Sequence, residues 1–193
     1  SYRDILAHLK QAGLNSLPGG GAEILVERVR KVLSPHKISS DKWLEVMRAA
    51  AQVGLRGSAT MVFGHVETIE ERIIHLLKLR DLQDETQVFR AFITWSMSTK
   101  GTPGVSHLPQ ASGEDYLRTV AVSRLMLDNI TSVQAGWVTE GHRLAQVALE
   151  FGANDMGGTL MEELVIEPTG IHHETTADLL IKLIRKAGYV PAQ

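Results

Sequence analysis

The chain has 193 residues, of which 44% are hydrophobic and 22% are charged, and its formal net charge is -2 at pH 7. This composition is typical of one folded domain, and it excludes a disordered chain and a polybasic arm that binds nucleic acid. The sequence contains no cysteine, which excludes disulfides, cysteine zinc sites and an iron–sulfur cluster held by this chain's own thiolates.

The sequence shows neither a membrane span nor a signal peptide. No apolar run approaches the ~20 residues that a membrane-spanning helix needs. Residues 1–10 follow a helical pattern studded with polar side chains, which is unlike a secretory signal. We therefore expect a cytoplasmic protein with no membrane partner.

Helical periodicity and strand-like apolar runs alternate along the chain. The pattern predicts helices at residues 1–12, 22–33, 40–53, 68–80, 114–128, 139–151 and 174–186, and strands at residues 14–17, 56–63, 88–95, 130–138 and 152–155. Strands that alternate with helices of this length are typical of parallel strand–helix units, so the predicted fold class is α/β. About five such units suit either a doubly wound sheet or an arc of a (β/α)8 barrel.

Polar residues at the ends of several predicted strands favour the barrel arc. They are Asn15, Ser16, Thr60, Arg90, Thr94, Gln134, Asn154 and Asp155. Glycines follow the strand ends at residues 19–21, 64 and 157–158. Sites in α/β folds form at the carboxyl ends of the strands, and an open sheet usually gathers its ligand at one switch point. We therefore expect these side chains to converge on one hollow.

Each local motif also has a purely structural interpretation. The glycines at residues 19–21 either approach a ligand or form a tight turn before a helix, with Glu23 complementing the helix dipole. His65 and Glu67 either contact a ligand or stabilise a loop and a helix start. The adjacent His172 and His173 lack the spacing of a metal site, so we predict that no residue of this chain binds a metal.

Taken together, several blocks resemble one family. They are Leu17-Pro18-Gly19-Gly20-Gly21-Ala22-Glu23-Ile24-Leu25, Ser34-Pro35-x-Lys37, Asp41-x-Trp43-Leu44, Ala59-Thr60-Met61-Val62-Phe63-Gly64-His65-Val66-Glu67-Thr68, Phe92-Ile93-x-Trp95 and Gly152-Ala153-Asn154-Asp155-x-Gly157-Gly158-Thr159-Leu160-Met161-Glu162-Glu163. In this order they strongly resemble the radical S-adenosylmethionine (SAM) enzymes of the futalosine route to menaquinone. The F420-precursor synthase subunits are near relatives.

The resemblance covers essentially the whole chain and implies a fold and an activity. Residues 1–193 are expected to form a single domain, the C-terminal portion of a radical SAM barrel. The family's CxxxCxxC motif, which binds a [4Fe-4S] cluster, is then supplied by polypeptide outside this chain, and this chain by itself is expected to be inactive. In the longer protein, a 5′-deoxyadenosyl radical from SAM is expected to start the cyclisation of dehypoxanthine futalosine.

The resemblance also implies roles for individual residues. The residues expected to bind SAM are Glu23, Thr60, Val62, Gly64, His65 and Glu67. Those expected to face the small-molecule substrate are Arg90, Trp95, Asn154 and Asp155. An arginine opposite a benzoate carboxylate is physically sensible. The residues after Trp95 depart from the family pattern, and no catalytic residue is assigned.

Other functions stay open at this point. They are an F420-precursor type of radical SAM synthase, a non-catalytic binding module derived from a barrel, and a metal-dependent barrel hydrolase, which the histidine spacing disfavours. A partial barrel leaves strand edges open near residues 14–17 and 152–155, and open edges invite pairing with another chain. We therefore also expect self-association through these edges.

Overall fold

The structure is a computed structural model that describes residues 1–100, 104–160, 164 and 166–192. Its helices are α1 (Tyr2–Gln11), α2 (Glu27–Leu33), α3 (Ser40–Gln52), α4 (Ile69–Thr86), α5 (Gly113–Met126), α6 (Trp137–Ala148) and α7 (Ala177–Lys186). Its strands are β1 (Ser16–Leu17), β2 (Arg56–Phe63), β3 (Phe89–Ser96) and β4 (Ser132–Gln134). Helices and strands thus alternate as the sequence predicts.

The four strands form one sheet in the order β1-β2-β3-β4. β1 pairs with β2 in parallel, with Ser16 opposite Arg56, and a parallel bridge joins Gln134 to Asp155 at the place of the last predicted strand. The predicted α/β fold is confirmed. Self-association through strand edges stays a prediction.

The chain divides into two compact units. The first comprises residues 1–62, 66–93 and 125–132, and the second comprises residues 63–65, 94–124 and 133–193. In the first unit, α4 begins with a capping box in which Thr68 and Glu71 each bond the other's backbone N–H. Leu76 and Leu79 of this helix are buried, as are Ala59 and Met61 of β2. Burial of these apolar side chains is the main source of stability for the unit.

In the second unit, an aromatic pair and a buried hydroxyl organise the start of α6. The rings of Phe63 and Tyr116 stack with centroids 6.4 Å apart. The Tyr116 hydroxyl accepts a hydrogen bond from the Gly136 N–H at 2.8 Å, and burial raises the Tyr116 pKa above its usual range. Gly141 kinks α6 with φ of 76°.

The bounds of several predicted elements differ from the structure, and for two of them the contacts give the reason. The helix predicted at 22–33 begins only at Glu27, because Glu23 takes a left-handed φ of 41° and Val26, directly before the helix, has an extended backbone. The strand predicted at 130–138 ends at Gln134, because the Gly136 N–H is held by Tyr116 and Trp137 already belongs to α6. Among the described residues, no helix combines the length and apolarity that crossing a membrane requires.

Candidate functional site

The glycine segment after β1 lies along β2 in the first unit. The Gly19 N–H donates to Ser58 Oγ at 2.9 Å, and the Thr60 hydroxyl donates to the Gly19 carbonyl at 2.7 Å. Farther along, the Val62 N–H donates to the Glu23 carbonyl at 3.1 Å. These hydrogen bonds hold the segment along β2 as far as the carboxyl end of the strand. Ligands bind at this end of the strands in parallel α/β sheets.

Glu23 stands at the end of this segment in a strained conformation. Its φ of 41° is unusual for a residue other than glycine, and such outliers concentrate at functional sites. Its side chain is only 13% exposed, and Oε1 pairs with the Lys37 ammonium. Oε2 lies 3.8 Å from Arg30 Nη1 and has no hydrogen-bond partner among the described residues. A buried carboxylate oxygen of this kind is an acceptor for a hydroxyl or ammonium group.

Thr60 and Val62, also predicted to contact the cofactor, use polar groups to hold the glycine segment. Thr60 is buried and its hydroxyl proton is directed at Gly19, while the Val62 N–H is directed at Glu23. Both residues therefore shape the backbone around Glu23. A direct contact between either residue and a ligand stays a prediction.

Glu67 is part of a buried ion pair. Its carboxylate side chain is 1% exposed, and Oε1 lies 2.9 Å from Arg72 Nη2. A neighbouring pair joins Arg28 to Glu71, with Nε and Oε1 2.7 Å apart, and holds the pKa of the Glu71 carboxyl below its usual range. These contacts give Glu67 a structural role at the start of α4, and its predicted role in cofactor binding stays a prediction.

Gly64 and His65 belong to the second unit. Gly64 has φ of 83°, and a Cβ there would lie 2.7 Å from the Ala111 Cβ. The space beside this glycine is therefore filled by the loop before α5, which explains the glycine without a ligand. His65 is half-buried, and its predicted contact with the cofactor stays a prediction.

A cavity of about 550 Å³ lies within the second unit. Its described lining residues are Trp95, Gln134, Ala135, Gly136, Trp137, Val138, Met156, Gly157, Gly158, Leu160, Leu164 and Ile166. In the chain they lie at or after the carboxyl ends of β3 and β4 and after the bridge at Asp155. A mostly apolar cavity of this size with a few polar groups is typical of a small-molecule site. Trp95 is 36% exposed, and Trp137 is buried.

The structure separates Arg90 from Trp95. Arg90 is the second residue of β3, whereas Trp95 is the last but one. The two side chains are five positions apart, which corresponds to ~16 Å along a strand and to opposite faces of the sheet. Arg90 lies at the amino end of its strand, away from the end where sites form in this fold class. Its predicted contact with a substrate carboxylate stays a prediction.

Asn154 and Asp155 position backbone groups of the second unit. Asn154 Oδ1 accepts hydrogen bonds from the Val133 N–H at 2.9 Å and from Arg124 Nη2 at 2.8 Å. Asp155 Oδ1 accepts from the Gly157 N–H at 2.6 Å. Asp155 thereby fixes the turn at Gly157, which lines the cavity. Direct contacts of Asn154 and Asp155 with substrate stay predictions.

Several residues that shape these sites were not predicted. Arg30 bonds the glycine segment, Lys37 pairs with Glu23, and His75 bonds the Leu25 backbone. Met156 lines the cavity. Lys37 belongs to a block that carries the family resemblance, but its pairing with Glu23 depends on the left-handed turn. Gln134, which was predicted because it is polar at the end of an apolar strand, also lines the cavity.

The residues of this chain do not fit an iron–sulfur cluster. The sequence has no cysteine. In the part of the chain that the structure describes, no group of three or more histidine or carboxylate side chains is placed to hold a metal ion. That the cluster ligands lie outside this chain stays a prediction. The open Glu23 oxygen, by contrast, fits a hydroxyl or amino group of SAM.

Comparison with known proteins identifies the family. The family described as CofH/MqnC C-terminal region matches residues 86–193. The cyclic dehypoxanthine futalosine synthase of Halalkalibacterium halodurans is 45% identical over 193 residues, which are 100% of this chain and 52% of that protein. The 5-amino-6-(D-ribitylamino)uracil--L-tyrosine 4-hydroxyphenyl transferase of Methanospirillum hungatei is 41% identical over 174 residues, which are 88% of this chain and 47% of that protein.

The crystal structure of methylornithine synthase (PylB) superposes with a TM-score of 0.72 at 18% identity, covering 99% of this chain and 56% of that one. This likeness shows a shared fold. The chain spans about half the length of the curated relatives it matches. The resemblance inferred from the sequence blocks is confirmed, and the chain belongs to the CofH/MqnC family, whose C-terminal region it carries.

Proposed function

We propose that this chain is the C-terminal part of a radical SAM enzyme that cyclises dehypoxanthine futalosine in menaquinone biosynthesis. The observation that carries the proposal is the 45% identity to a cyclic dehypoxanthine futalosine synthase along the whole chain. An F420-precursor type of synthase is the second candidate, because the identity to the tyrosine 4-hydroxyphenyl transferase is 41%. By itself the chain is expected to be inactive, since the cluster has no ligands here.

In the longer protein, bound SAM and a [4Fe-4S] cluster held by residues outside this chain would supply the radical chemistry. The role of Glu23 is to accept a hydrogen bond from a hydroxyl or amino group of SAM through Oε2. This role is supported by the left-handed backbone at Glu23 and by Oε2, which has no hydrogen-bond partner within the described part of the chain. The glycines at residues 19–21 keep side chains away from the bound molecule.

The cavity of the second unit is the proposed place for the aromatic part of the substrate. Trp95 and Trp137 line it, and aromatic rings gain contact energy by stacking or edge-to-face packing with one another. The apolar side chains of Met156 and Leu160 exclude water, which protects a reactive substrate from side reactions. The Gln134 amide provides a polar group that orients the ring.

To test this proposal, the chain is joined to an N-terminal region that carries CxxxCxxC. Cleavage of SAM and consumption of dehypoxanthine futalosine are then measured under reducing, oxygen-free conditions. We expect a brown protein that cleaves SAM and consumes dehypoxanthine futalosine. The matched control is the same protein with tyrosine and 5-amino-6-(D-ribitylamino)uracil. Turnover only with this second pair would establish the F420-precursor type, and a cluster-bearing protein that uses neither substrate would contradict both functions.

Trp95→Ala in that longer protein is expected to raise KM for the substrate roughly tenfold, because an aromatic contact worth about 1.4 kcal/mol is lost. Trp95→Phe retains a ring and is expected to stay within about threefold of the original protein. Steady-state kinetics measures both variants. Because Trp95 is 36% exposed, the thermal midpoint is expected to change little. Equal KM values for the two variants would show that the ring of Trp95 does not contact the substrate.

A further inference from the structure

Arg30 is a buried cation directly beneath the glycine segment. Its side chain is 3% exposed. Nη1 donates to the carbonyls of Gly21 at 3.0 Å and Ala22 at 2.7 Å, and Nε donates to the Ile38 carbonyl at 3.1 Å. A buried charge is costly unless hydrogen bonds and counter-charges compensate it, so these bonds are strongly maintained. The guanidinium thereby ties the backbone before Glu23 to the loop after α2.

The nearest ion-pair partner of Arg30 is Glu23, but the pair is not hydrogen-bonded. Arg30 Nη1 and Glu23 Oε2 are 3.8 Å apart, and the Nη1 donors are directed at Gly21 and Ala22. An arginine placed opposite a carboxylate normally binds both of its oxygens. Here the N–H groups of the Arg30 guanidinium donate to backbone carbonyls. Arg30 therefore places a positive charge near Glu23 without forming a hydrogen bond to Oε2. Lys37 takes only the other oxygen.

We propose that Arg30 is a positioning residue that holds the turn at residues 21–23 in its left-handed form and keeps Glu23 Oε2 open for a ligand. A lysine cannot reproduce this geometry, because its ammonium lacks the planar fork that reaches several carbonyls at once. The backbone part of the proposal is independent of the ligand. The effect on binding rests on the proposed function, in which Glu23 contacts SAM.

The experiment compares Arg30→Gln and Arg30→Lys with Arg48→Gln. Arg48 is a suitable control because its guanidinium donates to Glu85, away from the glycine segment. The first measurement is amide hydrogen exchange at residues 19–25. The second is the affinity of each variant for S-adenosylhomocysteine, a non-reactive probe, by titration calorimetry. Arg30→Lys retains the charge and keeps the test informative where Arg30→Gln does not fold.

We expect faster exchange at residues 19–25 in both Arg30 variants and binding of the probe weakened by roughly tenfold to a hundredfold, with Arg48→Gln unchanged. Unchanged exchange in Arg30→Lys would overturn the proposal. Faster exchange with unchanged affinity would also overturn it, because Arg30 would then be merely structural. If the original protein does not bind the probe, the SAM site of the proposed function fails, while the exchange rates still decide whether Arg30 positions the turn.

Discussion

Gly19→Ala is expected to lower the free energy of unfolding by roughly 1–3 kcal/mol. A Cβ at this position would lie 2.5 Å from the Ser58 carbonyl oxygen and 2.9 Å from the Ala59 carbonyl carbon. Both are backbone atoms of β2, which cannot move aside as the end of a flexible side chain can. The substitution therefore forces the glycine segment away from the strand. Urea unfolding measures the loss.

Two neighbouring glycines are controls for this prediction. A Cβ on Gly20 meets nothing within 4 Å, so Gly20→Ala is expected to change stability by less than about 0.5 kcal/mol. Gly21 has φ of 81°, so Gly21→Ala is expected to cost about 1–2 kcal/mol through backbone strain alone. Equal unfolding midpoints for Gly19→Ala and Gly20→Ala would show that the segment is not packed against β2 as described.

His75→Asn is expected to weaken the dependence of stability on pH. His75 is fully buried, and its Nδ1 accepts a hydrogen bond from the Leu25 N–H at 3.0 Å. Burial lowers the pKa of His75 to about 3. The unfolded chain, in which the pKa is about 6.5, therefore binds this proton before the folded protein does. Stability from the neutral imidazole is fully present above pH 6.5 and decreases toward pH 3, by about 1.4 kcal/mol per pH unit.

Urea unfolding between about pH 5 and pH 7 measures this slope while most carboxyl groups stay ionised. In the asparagine variant the amide oxygen can still accept the Leu25 N–H, but nothing titrates, so the slope is expected to be smaller. His36→Asn is the matched control, because His36 is exposed. The same slope in His75→Asn and in the original protein would contradict the pKa assigned to His75.

Much of the fold could be predicted because local signals agree with the final contacts. β2 has the predicted bounds, since an apolar run follows Gly54 and ends before Gly64. α4 is longer than predicted and ends where Gln87 takes a left-handed φ of 53°. Residues 81–86 are polar apart from the buried Leu82, so a single apolar side chain marks this last part of the helix. The predicted start of α2 was wrong, because nothing in the sequence indicates that Glu23 takes a left-handed conformation.

The candidate site was harder to predict, because each polar residue has several possible partners. Glu67 was predicted to contact a ligand, but Arg72, five positions later, pairs with it. Asn154 bonds Arg124 and the Val133 backbone, which only the packed second unit brings together. Trp95 could be placed from its position near the end of a strand, and it does line the cavity. The surroundings of Glu23 depend on a turn that no local pattern indicates.

Gly64 and Ala111 are far apart in sequence but in contact in the structure. The size of the side chain that fits at one position therefore depends on the residue at the other. Adding a methyl group at residue 64 is expected to displace Ala111, since a Cβ there would lie 2.7 Å from the Ala111 Cβ, and the φ of 83° strains any such substitution further. Among family members we therefore expect glycine to persist at position 64, and a larger residue there to occur only with a smaller residue at position 111 or with an altered loop length. Deep mutational scanning of both sites together would reveal this epistasis.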